Sequence, residues 1–414
     1  MSSTTEQVSA KVTFRRYKDG DGKWKRWQEQ IFDADHSHKC PTYIQATPPC
    51  QGSCPSGEDI RGYLNIVRGV EKPPAGQSWQ EYAFRRLTGA NPFPSVMGRV
   101  CPAPCESGCN RNELEDQVGI NAVEQYVGDW TLGQGLGFAK PARESGKKVA
   151  IIGGGPGGLA AAYFLRRMGH GCTILESYSS LGGMMRFGIP GYRTPKDVLD
   201  GEIKRIVDMG VEVRLNTRVG VDVTVAELEK THDAVFWAIG AQAGKPVEIP
   251  GADAPNCVDG ISFLRAFNEG RLQHLSGRVL VIGAGDTAMD VAAVARRIGN
   301  IHNIHPQDRP ENVILGHTAH DVATAARRQG AEVWIVYRRP ISQAPATKHE
   351  LESVIAEGVQ IREGLVPIEV LHDLRHRRVP DAAPLPEQRV VVAAVEVLAP
   401  PRELVEVLLA LLRR

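Results

Sequence analysis

The stretch VAIIGGGPGGLAAAYFLRRMGHGCTILE, Val149–Glu176, decides the architecture. Val149–Ile152 is a short apolar run, a glycine-rich turn follows, LAAAYFLRRMG is helix-like, and Cys172–Leu175 is a second apolar run. Strand, turn, helix and strand within about 28 residues make a βαβ unit, which predicts a parallel sheet. The turn carries Gly153-x-Gly155-x-x-Gly158. Gly153 permits the tight turn, Gly155 lets backbone approach a pyrophosphate, and Gly158 lets helix and strand pack closely. The helix N-terminus then presents unpaired N–H groups and the positive end of its dipole. Glu176 stands 23 residues beyond Gly153, at the end of the second strand, where a carboxylate accepts hydrogen bonds from a ribose hydroxyl. With strand, helix and acid in place, the motif reads as a dinucleotide site rather than a bare turn.

Further along, Thr194 is placed to cap a helix with Pro195 at its first position. Val198, Leu199, Ile203 and Ile206 recur at helical spacing, and Gly210 ends the pattern. Val211–Leu215 and Ala234–Ile239 read as strands. A second βαβ unit begins at Arg278, with the strand Val279–Ile282, the turn Gly283-x-Gly285-x-x-Ala288 and a helix to Gly299. The closing strand, Glu332–Tyr337, arrives at roughly twice the usual distance for a Rossmann unit of about 30 residues. Within the insertion, DVATAARRQG (Asp321–Gly330) echoes DVAAVARRIG (Asp290–Gly299) at seven of ten positions, either a local duplication or two Ala/Arg helices of like composition. The closing strand ends in Arg338-Arg339, where an NAD site tends to show an acid. Two guanidiniums suit a 2′-phosphate, which favours NADPH over NADH, against the alternative of a solvated arginine pair. Two such motifs 130 residues apart suggest a flavin on the first and a nicotinamide on the second, with hydride passing between the rings. Ala238-Ile239-Gly240 closes a strand where the chain would cross from one to the other.

Working back toward the N-terminus, Lys140–Lys148 is a polar linker, and the first 140 residues are irregular, with helical stretches at Glu58–Val70 and Trp79–Thr88. Six of the eight cysteines fall in the first 109 residues: Cys40, Cys50, Cys54, Cys101, Cys105 and Cys109. Cys50-x3-Cys54 and Cys101-x3-Cys105-x3-Cys109 are thiol-rich groups beside prolines, as iron–sulfur ligation requires; zinc and inert buried thiols are the competing readings. The whole chain has 414 residues, 42% hydrophobic and 23% charged, with a net charge of +1. That balance argues against a nucleic-acid binder and against disorder. No run approaches the roughly 18 apolar residues of a membrane span, and the start has no apolar stretch to serve as a secretory signal, so a cytoplasmic location is expected. No acid–base or nucleophile constellation is present, as expected where cofactors do the chemistry.

Several segments together resemble a known family. RVCPAPCESGC (Arg99–Cys109), the first glycine motif, LGGMMRFGIPGYRTPKDVLDGEI (Leu181–Ile203), AIGA, VIGAGDTAMD and VYRR…PATKHE are similar to the small-subunit family of bacterial glutamate synthase. That family includes the flavin-containing NADPH:ferredoxin oxidoreductase subunits and the N-terminal half of dihydropyrimidine dehydrogenase. The resemblance runs from about Cys40 to about Val370. It implies an α/β fold: an N-terminal α-helical iron–sulfur domain followed by two Rossmann-like dinucleotide-binding domains, with FAD on the first and NADP(H) on the second. Gly182, Gly183, Met184 and Ile189 match the stretch that contacts the flavin. Cys54, Cys101 and Cys105 match three ligands of one 4Fe-4S cluster, and Glu124, on its own a surface helix carboxylate, falls where the family places a non-cysteine ligand. Cys50 and Cys109 match two ligands of a second cluster, and Cys40 a third. Tyr43 stands where that cluster's remaining cysteine would be, which leaves it missing, three-iron, or completed by His36 or His38.

The resemblance stops before the end. Family members return to finish the FAD domain with a strand ending in a Gly-Asp pair, and nothing like it follows Val370; Leu371–Arg414 has seven Arg, no Lys and no Gly. The expected division is therefore 1–140 helical iron–sulfur, 141–270 first part of the FAD domain, 271–370 NAD(P) domain with an insertion near 300–320, and 371–414 an atypical tail, truncated or out of frame. The implied function is electron transfer between NADPH, FAD and one or two 4Fe-4S clusters. The implied partner is a large catalytic subunit or ferredoxin, and His302, His305, His317 and His320 in the insertion tilt the reading toward the latter. The alternative is an assembly subunit that has lost flavin through its altered C-terminus.

Overall fold

The computed structural model describes residues 47–115, 117–244, 247–254, 256–272, 275, 278–298 and 332–368, with the backbone alone of 390–393. Cys40, His36, His38 and Tyr43, the insertion with its four histidines and the echo at 321–330 lie outside the described residues.

Six helices come first: α1 (Pro49–Ser53), α2 (Ile60–Val67), α3 (Trp79–Leu87), α4 (Pro94–Val100), α5 (Pro104–Ser107) and α6 (Ile120–Gly133). Local chemistry sets their starts. The Asp59 carboxylate accepts from Gly62 N at 3.1 Å and the Ser78 hydroxyl from Glu81 N at 3.1 Å, while prolines open α1, α4 and α5. Their shared core is built on Ile60, Tyr63, Ile66, Phe84, Leu87, Ile120 and Val127. α4 and α6 touch through their backbones. A Cβ on Gly98 would lie 2.5 Å from Gln125 N, and one on Gly128 2.5 Å from Ser95 N, so only glycine fits at either crossing point.

A parallel sheet follows, built from β1 (Lys148–Ile152), α7 (Pro156–Arg167), β2 (Gly171–Leu175), α8 (Met184–Phe187), α9 (Lys196–Val207), β3 (Val211–Arg214), α10 (Val225–Thr231) and β4 (Ala234–Trp237). The strand order is β3-β2-β1-β4, with Val149 opposite Cys172 and Ile151 opposite Phe236. β1 and β2 are buried nearly throughout, which is why they read as unbroken apolar runs. Ile151, Leu159, Ile174, Leu199 and Ile206 centre this core, and Phe93 and Val96 of the helical unit pack into it. α9 begins one residue later than the sequence predicts. Pro195 is extended (ψ 135°) and precedes the helix, no side chain caps it, and the Thr194 hydroxyl is buried without a hydrogen bond instead of capping.

The second sheet holds β5 (Cys257–Asp259), α11 (Gly260–Asn268), β6 (Arg278–Ile282), α12 (Asp286–Arg297), β7 (Glu332–Tyr337), α13 (Lys348–Ala356), β8 (Gln360–Glu363) and β9 (Val390–Ala393). Every pairing is parallel and the order is β5-β9-β6-β7-β8. β9 comes from the stretch in which the sequence shows no family element. Its Val-Val-Val-Ala run lies between β5 and β6, at the middle of the sheet, where β-branched residues suit a strand flanked on both edges. Among the described residues no helix is long and apolar enough to cross a membrane.

Candidate functional site

At the first turn, Gly153 has φ +107° and donates its N–H to Leu175 O at 2.8 Å, stitching the turn to β2. A Cβ on Gly158 would sit 1.9 Å from Gly153 O, so turn and helix meet there without room for a side chain. Gly155 differs. Nothing closer than Gly183 Cα at 3.6 Å faces it, and no side chain caps α7, leaving bare backbone at a helix N-terminus. A phosphate fits such a cradle by charge and by space.

Glu176 is buried and already engaged. Its carboxylate accepts from Gly154 N at 2.7 Å, Tyr178 N at 2.9 Å and the Ser177 hydroxyl at 3.2 Å. A carboxylate offers about four acceptor positions, so one remains for a ribose hydroxyl while the others hold the turn in shape. The Gly182-Gly183 pair closes over this turn. Gly182 N donates to Gly154 O at 2.8 Å, and a Cβ on Gly183 would come within 2.7 Å of Gly155 Cα. Met184 then opens α8, and half-buried Ile189 follows it. Lys196, not singled out in the sequence, fastens this stretch by donating to Arg186 O at 2.6 Å and Ile189 O at 3.1 Å. Burial, and then the neighbouring Arg186 guanidinium, pull its ammonium down to about 7.

The second turn repeats the first. Gly283 has φ +122° and donates to Val336 O at 3.0 Å; Gly285 leads into α12 with no side-chain cap. Ala288 is fully buried, and Ala284 O accepts from Ala346 N at 3.2 Å, which ties the PATKHE segment to the turn. Arg338 and Arg339 follow β7, the first half-buried and the second exposed.

The two dinucleotide units are joined by a segment whose partners are remote in sequence. Arg193 Nη1 donates to both carboxylate oxygens of Asp290 at 2.8 Å, and its Nη2 donates to Glu350. The Arg297 guanidinium lies 3.8 Å over the Tyr192 ring and pairs with Glu357, while Asn268 donates to Phe187 O at 3.0 Å. GYRTP, TAMD and PATKHE are visible as motifs, but nothing in their spacing shows that Arg193, Asp290 and Glu350 meet.

In the helical unit all five described cysteines of the two groups are free thiols. Cys50 lies in α1 and Cys54 just beyond it; Cys101 ends α4, Cys105 lies in α5, and Cys109 follows α5. Burial raises the thiols of Cys50, Cys101 and Cys105, the last to about 12, whereas backbone N–H groups at Val118 and Arg111 lower Cys109. Their mutual charge effects sort them by neighbourhood. Cys50 feels Cys109; Cys101 feels Glu124, Cys54 and Glu58; Cys105 feels Cys101 and Cys54. Glu124 is no surface carboxylate: it is buried, and the Asn91 amide donates to it. Burial raises it and its neighbour Glu58 well above the ordinary carboxylate range. Among the described residues no three His, Cys, Asp or Glu side chains converge as the ligands of a single metal ion. Unpaired soft thiol sulfurs lining a buried pocket of helix ends are nonetheless the donor set that iron–sulfur ligation draws on.

Residues 147–373 match the family described as pyridine nucleotide-disulphide oxidoreductase, and residues 25–136 match dihydropyrimidine dehydrogenase domain II, 4Fe-4S cluster. The chain is 35% identical over 338 residues to the NADP(+)-dependent formate dehydrogenase subunit beta of Moorella thermoacetica, covering 76% of this chain and 42% of that one. It is 34% identical to the NADPH-Fe(3+) oxidoreductase subunit beta of Geobacter sulfurreducens (79% and 44% covered) and 30% identical to the glutamate synthase [NADPH] small chain of Azospirillum brasilense (76% and 60%). The chain thus spans about half the length of the curated relatives it matches. The resemblance read from the motifs is borne out, and FAD, NADP(H) and 4Fe-4S are the cofactor classes of the matched families. On the match that covers more than half of its length, the chain belongs to the pyridine nucleotide-disulphide oxidoreductase family.

Proposed function

We propose that the chain is an electron-transfer subunit that moves electrons between NADPH, FAD and one or two 4Fe-4S clusters, to or from a large catalytic subunit or ferredoxin. The joining of three units through buried side chains supports this most directly. Glu202 of α9 accepts from Ser95 N at 2.7 Å and Val96 N at 3.1 Å, fixing the cysteine-bearing helices on the first sheet, and Arg193 fixes the second sheet on the first. Such a chain of contacts suits a protein that holds several redox groups in series.

In this reading Gly153, Gly155, Gly158 and Glu176 hold the adenosine diphosphate half of FAD. Gly182, Gly183, Met184 and Ile189 lie against its ring system, positioned by Lys196. Gly283, Gly285 and Ala288 admit the NADPH pyrophosphate, and Arg338 and Arg339 pair with its 2′-phosphate. Cys54, Cys101 and Cys105, with Glu124, hold one cluster; Cys50 and Cys109, with Cys40 beyond the described residues, belong to the other. The three bound groups supply the conversion of a two-electron donor into single electrons. The division expected from the sequence, helical 1–140, flavin 141–270 and nicotinamide 271–370, is the division we propose. A reducing, cytoplasmic compartment accords with free thiols at every described cysteine.

An anaerobic ultraviolet–visible spectrum of the purified chain, with and without NADPH, tests the reading. Flavin bands over broad iron–sulfur absorbance, bleached by NADPH, are expected. A colourless protein would overturn it in favour of an assembly role. Reduction of added ferredoxin by the NADPH-treated chain then separates the two partner classes.

A further inference from the structure

Tyr63 lies at the centre of the helical core. Its side chain is completely buried, in the same apolar cluster as Cys50, Cys54, Ala103 and Cys105. Its hydroxyl is also buried and has no hydrogen-bond partner among the described atoms. Buried tyrosine hydroxyls normally find an acceptor, and leaving one unmade costs about 1–3 kcal/mol. The polar groups nearby are engaged elsewhere: Asn91 donates to Glu124, and its carbonyl oxygen accepts from Phe93 N at 2.9 Å.

The surroundings fix what the hydroxyl can do. Burial foremost, then the charges of Glu58, Glu124, Cys105 and Cys54, hold the phenol in its protonated form. It is therefore a donor, and it stands among the thiols assigned above to one cluster. We propose that the Tyr63 hydroxyl donates a hydrogen bond to a sulfur of the group held by Cys54, Cys101 and Cys105, and so sets the potential of that group. The inference rests on the cluster assignment given under Proposed function. A donor aimed at a cluster sulfur stabilises the extra negative charge of the reduced form, which raises the reduction potential; hydrogen bonds to sulfur and solvent exposure are among the levers that set it. Tyr63 thus acts as a tuning residue, not a ligand.

The test uses the full chain, purified anaerobically and assayed first for iron and acid-labile sulfide. Redox titration with dithionite, followed by electron paramagnetic resonance, compares it with Tyr63→Phe. The variant is expected to keep its iron and sulfide while one cluster signal shifts to a more negative midpoint potential. In the unsubstituted chain, electron–nuclear double resonance in H2O and D2O is expected to show a strongly coupled exchangeable proton that Tyr63→Phe lacks. Equal midpoint potentials in the two proteins would overturn the proposal, as would the absence of that proton from the unsubstituted chain, even if the variant failed to fold. Absence of iron from the unsubstituted chain would instead overturn the cluster assignment itself, and the assay separates that failure from the first.

Discussion

Glu202 of α9 and Ser95 of α4 are 107 residues apart, yet the Glu202 carboxylate accepts the Ser95 N–H at 2.7 Å inside a fully buried contact. The flavin unit thereby caps a helix of the cysteine-bearing unit. The carboxyl has no solvent, and burial pushes it up to about 8, against the lowering pull of the Ser95 and Val96 N–H groups and of Arg205. A folded-state value above the unfolded one means that the native state binds the extra proton. The stability from this group is then full below about pH 4.5 and is lost as pH rises through about 8. Urea unfolding over that range should show this fall in the unsubstituted chain and a flatter profile in Glu202→Gln. Identical slopes would remove Glu202 as the cause.

Arg193 makes three charged contacts with Asp290 and Glu350 in a largely buried position. Removing one partner of such a network strands the others without solvent, at a cost of about 3–5 kcal/mol. Arg193→Met is expected to lower the denaturant midpoint accordingly. Adding Asp290→Leu should recover part of the loss, because the stranded carboxylate goes with it. A double variant no more stable than the single one would count against this account.

The glycines of the first motif should separate by phenotype. Gly158→Ala drives a Cβ into Gly153 O, a clash between backbones, and should destabilise the fold as judged by thermal unfolding. Gly155 has φ −78° and an ordinary contact at 3.6 Å, so Gly155→Ala should unfold close to the parent temperature. It should nevertheless bind FAD more weakly, since the added methyl occupies the phosphate approach. Equal flavin content in Gly155→Ala and the parent would argue against the cradle.

Arg338→Ala with Arg339→Ala tests the nicotinamide preference. Loss of charge-assisted hydrogen bonds to a 2′-phosphate should raise KM for NADPH by roughly 10- to 100-fold, from the 1.5–3 kcal/mol typical of such bonds. KM for NADH should stay nearly level. A parallel rise for both nucleotides would mean that the arginines hold the strand end rather than the phosphate.

How far the sequence carried these conclusions depended on the range of the interaction. Both glycine turns were legible because their chemistry is local: the positive φ of Gly153 and Gly283 and the buried Ala288 lie within a few residues of the strands that announce them. The spacing of the cysteines was legible, but their sorting into neighbourhoods came only with the family resemblance. Glu124 alone looked like a surface carboxylate, because one acid on a helix does not say which face is covered. Thr194 was misread since its capping role depended on the backbone of Pro195, which is extended. The contacts of Arg193, over 97 and 157 residues, leave no periodic trace at all.

β9 bears on the order in which the molecule assembles. The first sheet is complete once residue 237 exists, and its neighbouring strands are close along the chain. The second cannot close until residue 393, because β9 separates β5 from β6 and joins strands more than a hundred positions upstream. Closing so long a loop before any contact rewards it is slow. During synthesis the first sheet can therefore form early, while β5 and β6 wait with unpaired edges exposed to other chains.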